Sequence, residues 1–302
     1  MAERTIGTTP PRVMTIAGTD SGGGAGVAAD LRALAACGVH GCVAVTAVTV
    51  QNTVGVTGVH TIPPETVAAQ IETVATDIGL DAVKTGMLAT TEIIRAIAGA
   101  CDRTGIGADG PTPFVVDPVA ASVNGDPLLA DSALDAYRTE LFPRATVVTP
   151  NLDEVRLFVG LDVQDRAGQY EAARLLHALG PRHVLVKGGH LSGDTEVCVD
   201  LHYDGHTFTE LIGPRFVTGD THGSGDMMAS ALAAGLAHGL PVPEAVALAK
   251  RFVVEAVRNA YALGAGHGPV SPLWVTRRWW DEQGPFDQCS NERERARFGI
   301  AT

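Results

Sequence analysis

Cysteine is scarce in these 302 residues: Cys37, Cys42, Cys101, Cys198 and Cys289 are odd in number, scattered and never arranged as C-x-x-C. That pattern excludes a disulfide framework and a zinc ribbon, and we expect reduced thiols in a cytoplasmic protein. The ten histidines show no H-E-x-x-H or similar ligand spacing, so no structural metal is expected. No apolar run reaches membrane-span length without a polar residue or a glycine. Met1 to Pro11 is polar, lacks the apolar core of a secretory signal and reads as a disordered leader, residues 1–11. Basic residues are few: 22 Lys and Arg stand against 34 Asp and Glu, and the net charge of −12 argues against a general nucleic-acid binder. Two nucleotide signatures are missing as well. Neither glycine loop ends in the lysine and hydroxyl of a Walker A loop. Gly24-Ala25-Gly26-Val27-Ala28-Ala29 could open a dinucleotide fingerprint, but no acid follows the second strand, where Gln51 stands.

What is present is an alternation. Hydrophobic residues make up 45% and charged residues 19%, enough for an ordinary globular core. Short, continuously apolar runs at 13–17, 43–50, 82–85, 114–116, 145–149 and 183–186 read as buried strands. Residues 56–62 read as a further strand or hairpin arm. Helical spacing fills the intervals, from Val27 to a stop at Gly38, after Pro63-Pro64, and over 91–103, 131–141, 168–179 and 243–262. Residues 197–203 and 206–211 flank Asp204-Gly205, a type I′ hairpin signal. The fold class expected is α/β, a mostly parallel central sheet with helices on both faces. It should occupy 12–272, followed by a charged, apolar-poor tail over 273–302 whose tryptophans pack on the surface. In such sheets ligands bind beyond the carboxyl ends of the strands. Asp20, Gln51, Lys84 to Met87, Asp117, Asn151 to Glu154 and Lys187 all fall at strand ends.

Thr221-His222-Gly223-Ser224-Gly225-Asp226 organises the rest. A glycine loop that opens a helix offers unpaired backbone N–H groups and the positive end of the helix dipole, an anion site suited to a phosphoryl group. Asp226 sits where the dipole should keep a carboxylate ionised, a base beside an anion hole. Read alone, the motif is better explained as an N-cap acid after a tight turn, and the rest of the chain must decide. Gly18 to Gly26 forms a second glycine loop, suited to close backbone approach by a small substrate. Asp20 within it either meets a ligand or closes an Asx turn. Asp30 reads as structural, Lys84 is left unassigned, and His222 is expected to cap or pack. The five cysteines are expected to lie away from the site.

Taken in order, Ala17 to Gly26 with Ala29-Asp30, Val48 to Thr53, Lys84-Thr85-Gly86-Met87-Leu88, Asp117-Pro118-Val119, Thr149 to Glu154, Val186 to His190 and Thr221 to Asp226 form a specific series. The chain resembles, over about residues 12–272, the hydroxymethylpyrimidine/phosphomethylpyrimidine kinases of thiamine biosynthesis, in the ribokinase-like superfamily. The resemblance implies ATP and Mg²⁺ as cofactors and phosphorylation of an aminopyrimidine alcohol and then of its monophosphate. It implies that Gly18, Gln51, Met87 and the Val119 backbone line the pyrimidine pocket, with Asp20 beside them. Asp117, Asn151 and Glu154 would organise Mg²⁺ and phosphate-bound water, Lys187 and Thr221 would meet the nucleotide, and Gly223, Ser224, Gly225 and Asp226 would do the chemistry. A homodimer is expected from the same resemblance. One departure stands out: the usual thiamine-pathway enzyme has Cys followed by Thr-Leu where this chain has Asp226-Met227-Met228. Aspartate is what sugar and pyridoxal kinases of the superfamily use as base. A pyridoxal or pyridoxine kinase is therefore the alternative enzyme, and a non-catalytic pyrimidine-binding regulator the alternative of another class.

Overall fold

The computed structural model describes residues 9–122, 124–126, 128–189, 191 and 196–277. Its strands are β1 (Arg12–Ala17), β2 (His40–Val45), β3 (Ala47–Asn52), β4 (Gly55–Thr61), β5 (Ala82–Thr85), β6 (Phe114–Val116), β7 (Val147–Val148), β8 (His183–Val186), β9 (Val197–Tyr203) and β10 (Phe208–Pro214). Eight of them form one sheet in the order β10-β9-β8-β7-β6-β5-β1-β2. The pairs from β2 through β8 are parallel, and β9 and β10 add an antiparallel edge.

Successive residues of a strand face opposite sides of the sheet, and the two hydrophobic cores divide accordingly. Met14, Ile16, Val83, Phe114, Val116, Val148, Val184 and Val186 belong to one core. Val13, Ala82, Val115, Val147 and Leu185 belong to the other. Helices α2 (Pro64–Asp77), α3 (Thr91–Thr104), α5 (Leu152–Val159) and α6 (Arg166–His177) contribute to the first. Helices α1 (Gly26–Ala36), α7 (Ser224–Ala237) and α8 (Val242–Arg258) contribute to the second. The mostly parallel, doubly covered sheet is the one the apolar runs imply. The helix expected over 131–141 is present but irregular: a 3-10 turn (Asp131–Ala133), one α turn, α4 (Leu134–Ala136), and a π-helical turn (Tyr137–Leu141) follow one another without a break.

Two local readings need correction. Residues 43–50 are not one strand. At Thr46 the chain leaves the main sheet: the Thr46 N–H donates to Ala17 O at 3.0 Å and its hydroxyl to Met87 O at 2.6 Å. The following segment pairs with β4 as a separate antiparallel hairpin. The Asp204-Gly205 turn is also longer than a two-residue I′ turn. Tyr203 pairs with Phe208, so four residues form the loop, and the Asp204 carboxylate accepts the His206 and Thr207 N–H groups at 2.8 and 2.6 Å. An Asx turn has replaced the tighter one. Trp274 packs against Phe252, with ring centroids 6.1 Å apart; the tail from residue 278 on, with its other two tryptophans, lies outside the described residues.

Candidate active site

Along the carboxyl edge of the parallel strands, β1 delivers Gly18, β5 delivers Met87, β6 delivers Asp117 and Val119, β7 delivers Asn151, and β8 delivers Lys187. The hairpin carries Gln51 over the same edge. All fourteen candidate residues line one cleft of about 300 Å³: Gly18, Asp20, Gln51, Met87, Asp117, Val119, Asn151, Glu154, Lys187, Thr221, Gly223, Ser224, Gly225 and Asp226. A second cavity, of about 260 Å³, adjoins it and shares Asn151, Lys187, Thr221, Ser224 and Gly225. The start of α7 therefore stands where the two spaces meet.

That helix start is built by glycine. Gly223 caps α7 with φ +78°, a left-handed conformation that favours glycine, and a side chain there would run into the Gly24 carbonyl. Ser224 N–H donates to Thr221 O at 3.1 Å. The Gly225 and Asp226 amides follow in the first turn, where the helix itself supplies no acceptor. Thus the two glycine loops touch. They are also clasped: Asp20 Oδ2 lies 2.9 Å from His222 Nε2, and accepts the Gly24 and Ala25 N–H groups at 2.9 Å each. Asp20 Oδ1 accepts the Gly22 N–H at 2.8 Å. The Asx-turn alternative thus describes Asp20: it lines the cleft, but its carboxylate serves its own loop and His222. Burial pushes its carboxyl up, and the His222 contact with the Ala25 and Gly22 amides more than reverses that, so it titrates below the usual carboxylate range.

Asp226 differs from the sequence expectation. Its side chain is 16% exposed, toward the cleft, and its Oδ1 lies 3.7 Å from Lys84 Nζ. Burial dominates and pushes its carboxyl up to about 6, against the opposing pull of Lys84 and with a further push from Asp30 and Asp117. The helix dipole alone does not set its charge. Also lining the cleft, Asp117 Oδ1 accepts from Lys187 Nζ at 2.9 Å and from the Thr149 hydroxyl at 2.8 Å. Burial opposes the Lys187 charge, yet Asp117 and Glu154 overcome it and hold the ammonium protonated well above its usual range. Asn151 and Glu154 form a reciprocal capping box on α5, Asn151 N–H to Glu154 Oε2 at 2.7 Å and Glu154 N–H to Asn151 Oδ1 at 2.8 Å. Burial pushes the Glu154 carboxyl up to about 7, Lys187 resisting.

The pocket walls follow from small residues. A Cβ on Gly18 would stand 3.1 Å from Met87 Sδ, so glycine leaves room for the thioether. Met87, Ala47, Ala89, Val119 and Leu128 form a small apolar cluster at this end of the cleft. Gln51 is half-buried, its Oε1 3.3 Å from the Thr49 hydroxyl.

Sequence reasoning missed the second cavity. Its walls are Phe216, Val253, Val254, Val257 and Met228, with Lys250, Asp200 and Cys198 at one end. The α8 valines looked like ordinary helix core, and only the tertiary arrangement opens them to a space. Cys198 corrects the expectation that every cysteine lies away from the site. Burial, and then Asp200, pushes its thiol up, so it is a poor nucleophile despite its position.

Known proteins resemble the chain in sequence and in fold. A chain from Mycobacterium tuberculosis, named hydroxymethylpyrimidine/phosphomethylpyrimidine kinase, is 58% identical over 268 residues, 89% of this chain and 96% of the relative. The ADP complex of Bacillus subtilis pyridoxal kinase superposes with a TM-score of 0.80 at 35% identity, covering 89% of this chain and 99% of that one. Staphylococcus aureus pyridoxal kinase with AMP-PCP and pyridoxal superposes with a TM-score of 0.78 at 36% identity, covering 87% and 93%. The phosphomethylpyrimidine kinase family model matches residues 20–271, a span that holds the Thr221 to Asp226 loop, most of the Gly18 to Gly26 loop and every strand of the sheet but β1, and the chain belongs to that family.

Proposed function

We propose that the protein uses ATP to phosphorylate 4-amino-5-hydroxymethyl-2-methylpyrimidine, and then the monophosphate to the diphosphate, in thiamine diphosphate biosynthesis. The observation that carries this reading is the meeting of two cavities at the first turn of α7, where Ser224 and Gly225 line both and Asp226 lines the acceptor cleft beside them. The flat acceptor occupies the cleft bounded by Gly18, Gln51, Met87 and Val119. Gln51 offers both a donor and an acceptor to the aminopyrimidine edge. The nucleotide occupies the second cavity, its base among the α8 valines and Phe216 and its phosphates at Lys187, Asn151 and Thr221. Crystallised neighbours bound to ADP or AMP-PCP support that use of ATP.

Asp226 takes the proton of the hydroxymethyl group as the alcohol oxygen bonds to the γ-phosphorus and the bond to ADP breaks. In the second step the acceptor is an ionised phosphate oxygen, and Asp226 is needed less. The amides of Gly225 and Asp226, in the first turn of α7, hold the charge that develops on the transferring group. Asp117 and Glu154 fit a Mg²⁺ ion that keeps most of its waters and is held through phosphates, since such an ion takes only one or two carboxylates from the protein. The ion would neutralise phosphate charge. Asp117 Oδ2 faces Gly225, 3.6 Å from where a Cβ would stand, so that oxygen points to the transfer site.

A pyridoxal kinase is the second reading, favoured by the pyridoxal-bound neighbour and by the aspartate at position 226. The 58% identical relative carries the pyrimidine-kinase name, and this favours the first. We place the enzyme in the cytoplasm, where ATP is at hand; among the described residues no helix is long and apolar enough to cross a membrane. We also propose a homodimer through the β3–β4 hairpin, whose Val48 and Val50 are exposed on one face. The functional reading is tested by Asp226→Asn, which should lower kcat by about 10²–10⁴-fold with KM for both substrates within about threefold. Turnover close to that of the parent would remove Asp226 from the mechanism.

A further inference from the structure

Lys84 has no part in the chemistry described so far, yet it is among the largest fully buried side chains in the protein. A buried ammonium is strongly disfavoured unless it is paired and hydrogen-bonded. Here it is. Its Nζ donates to Asp30 Oδ1 at 2.8 Å, and Asp30 is itself fully buried. Asp30 is held from two more elements: the Ser230 hydroxyl donates to Oδ1 at 2.7 Å and the Thr15 hydroxyl to Oδ2 at 2.5 Å. Ser230 lies four residues after Asp226 on α7, on the same helix face. Strands β1 and β5 and helices α1 and α7 thus close around one fixed ammonium. Among the described residues the other carboxylate within 4 Å is that of Asp226, whose Oδ1 lies at 3.7 Å, with Asp117 acting from farther off. Gly86 keeps this line open, since a Cβ there would stand 3.4 Å from Lys84 Nζ, 3.8 Å from Asp226 Oδ1 and only 3.0 Å from Ala17 Cβ.

We propose that Lys84 is a positioning residue for the transfer reaction: clamped by Asp30, Ser230 and Thr15, its ammonium fixes the Asp226 carboxylate from beneath and leaves the other carboxylate oxygen turned to the acceptor hydroxyl. The proposal rests on the reading of Asp226 as the base. Lys84 reaches the substrate only through Asp226. A side chain that acts through one carboxylate has a distinctive signature: its removal matters only while that carboxylate is present.

The test is a double-mutant cycle in the full chain. Lys84→Gln combined with Asp30→Asn removes both charges of the buried pair, so neither is left uncompensated. Turnover and KM are measured with ATP and hydroxymethylpyrimidine in the parent and in Asp226→Asn. In the parent, the neutral pair should lower kcat by about 10- to 100-fold and leave KM for ATP within about threefold; in Asp226→Asn it should change kcat by less than about twofold. An equal fractional loss in both backgrounds would overturn the proposal, as would an unchanged kcat in the parent. If the neutral pair does not yield folded protein, Lys84→Arg keeps the charge but displaces it, and it passes through the same cycle under the same criteria. Parent-like turnover of Asp226→Asn alone would instead dispose of the base, and of the proposal with it, and is distinguished by needing no change at Lys84.

Discussion

Asp226 and Glu154 are carboxyl groups whose burial outweighs their neighbours, so both hold their protons to higher pH than free side chains do. For Asp226 the consequence has two signs. As a base it must be ionised, so kcat for hydroxymethylpyrimidine should fall as pH drops through about 6. For stability the order reverses. A raised folded-state pKa means that, between the unfolded value of 3.8 and about 6, the folded chain holds a proton the unfolded chain has lost. Stability contributed by the protonated group is therefore full at low pH and lost as pH rises through that window. The Tm of Asp226→Asn, relative to the parent, should then be higher at pH 7 than at pH 4, while Glu154 titrates alike in both. A difference in Tm that does not change with pH would contradict the raised value. The fourteen cleft residues could be named from the sequence because the ordered series of motifs resembles a known family; their fall at strand ends alone would not have singled out apolar Met87 and Val119. The ionisation of Asp226, the clasp of Asp20 on His222 and the partners of Lys84 were not legible there. Each depends on burial and on residues more than fifty positions away, which no local pattern encodes.

At the scale of elements, the parallel strands could be read from unbroken apolar runs because both faces of this sheet are covered. The break at Thr46 could not, since Val43 to Val50 is equally β-prone on either side and only tertiary hydrogen bonds to Ala17 and Met87 turn the chain. The capping box at Asn151-Leu152-Asp153-Glu154 follows the N-x-x-E pattern but was not read from it, because the family resemblance gave the same two residues to Mg²⁺ and phosphate. Both roles can hold together: a side chain fixed by a helix start is well placed to meet a phosphate. This makes a prediction at the scale of α5. Asn151→Ala removes the acceptor for the Glu154 N–H and should reduce stability by about 1 kcal/mol, the usual loss of an N-cap. It should also raise KM for ATP. Urea denaturation with an unchanged midpoint would show that the cap does not support the helix.

For the whole molecule, the family match covers residues 20–271, and the charged tail lies outside that match. The β3–β4 hairpin stands apart from the main sheet and carries Gln51 on one strand with Val48 and Val50 on its exposed face. Val48→Asp with Val50→Asp should convert a dimer to a monomer in sedimentation equilibrium; an unchanged mass would place the subunit contact elsewhere. Such an effect could not have been foreseen from β-propensity, because the same alternation serves a buried face and an interface. The claim that ties the scales together is that one site, at the start of α7, transfers phosphoryl groups from ATP to a pyrimidine alcohol and then to its phosphate. The most direct measurement is the ADP released per molecule of 4-amino-5-hydroxymethyl-2-methylpyrimidine, with excess ATP and Mg²⁺, followed to completion in a coupled assay beside a parallel reaction with pyridoxal. The account predicts two ADP per pyrimidine and slower release with pyridoxal; ADP release with pyridoxal alone, or with neither acceptor, would contradict it.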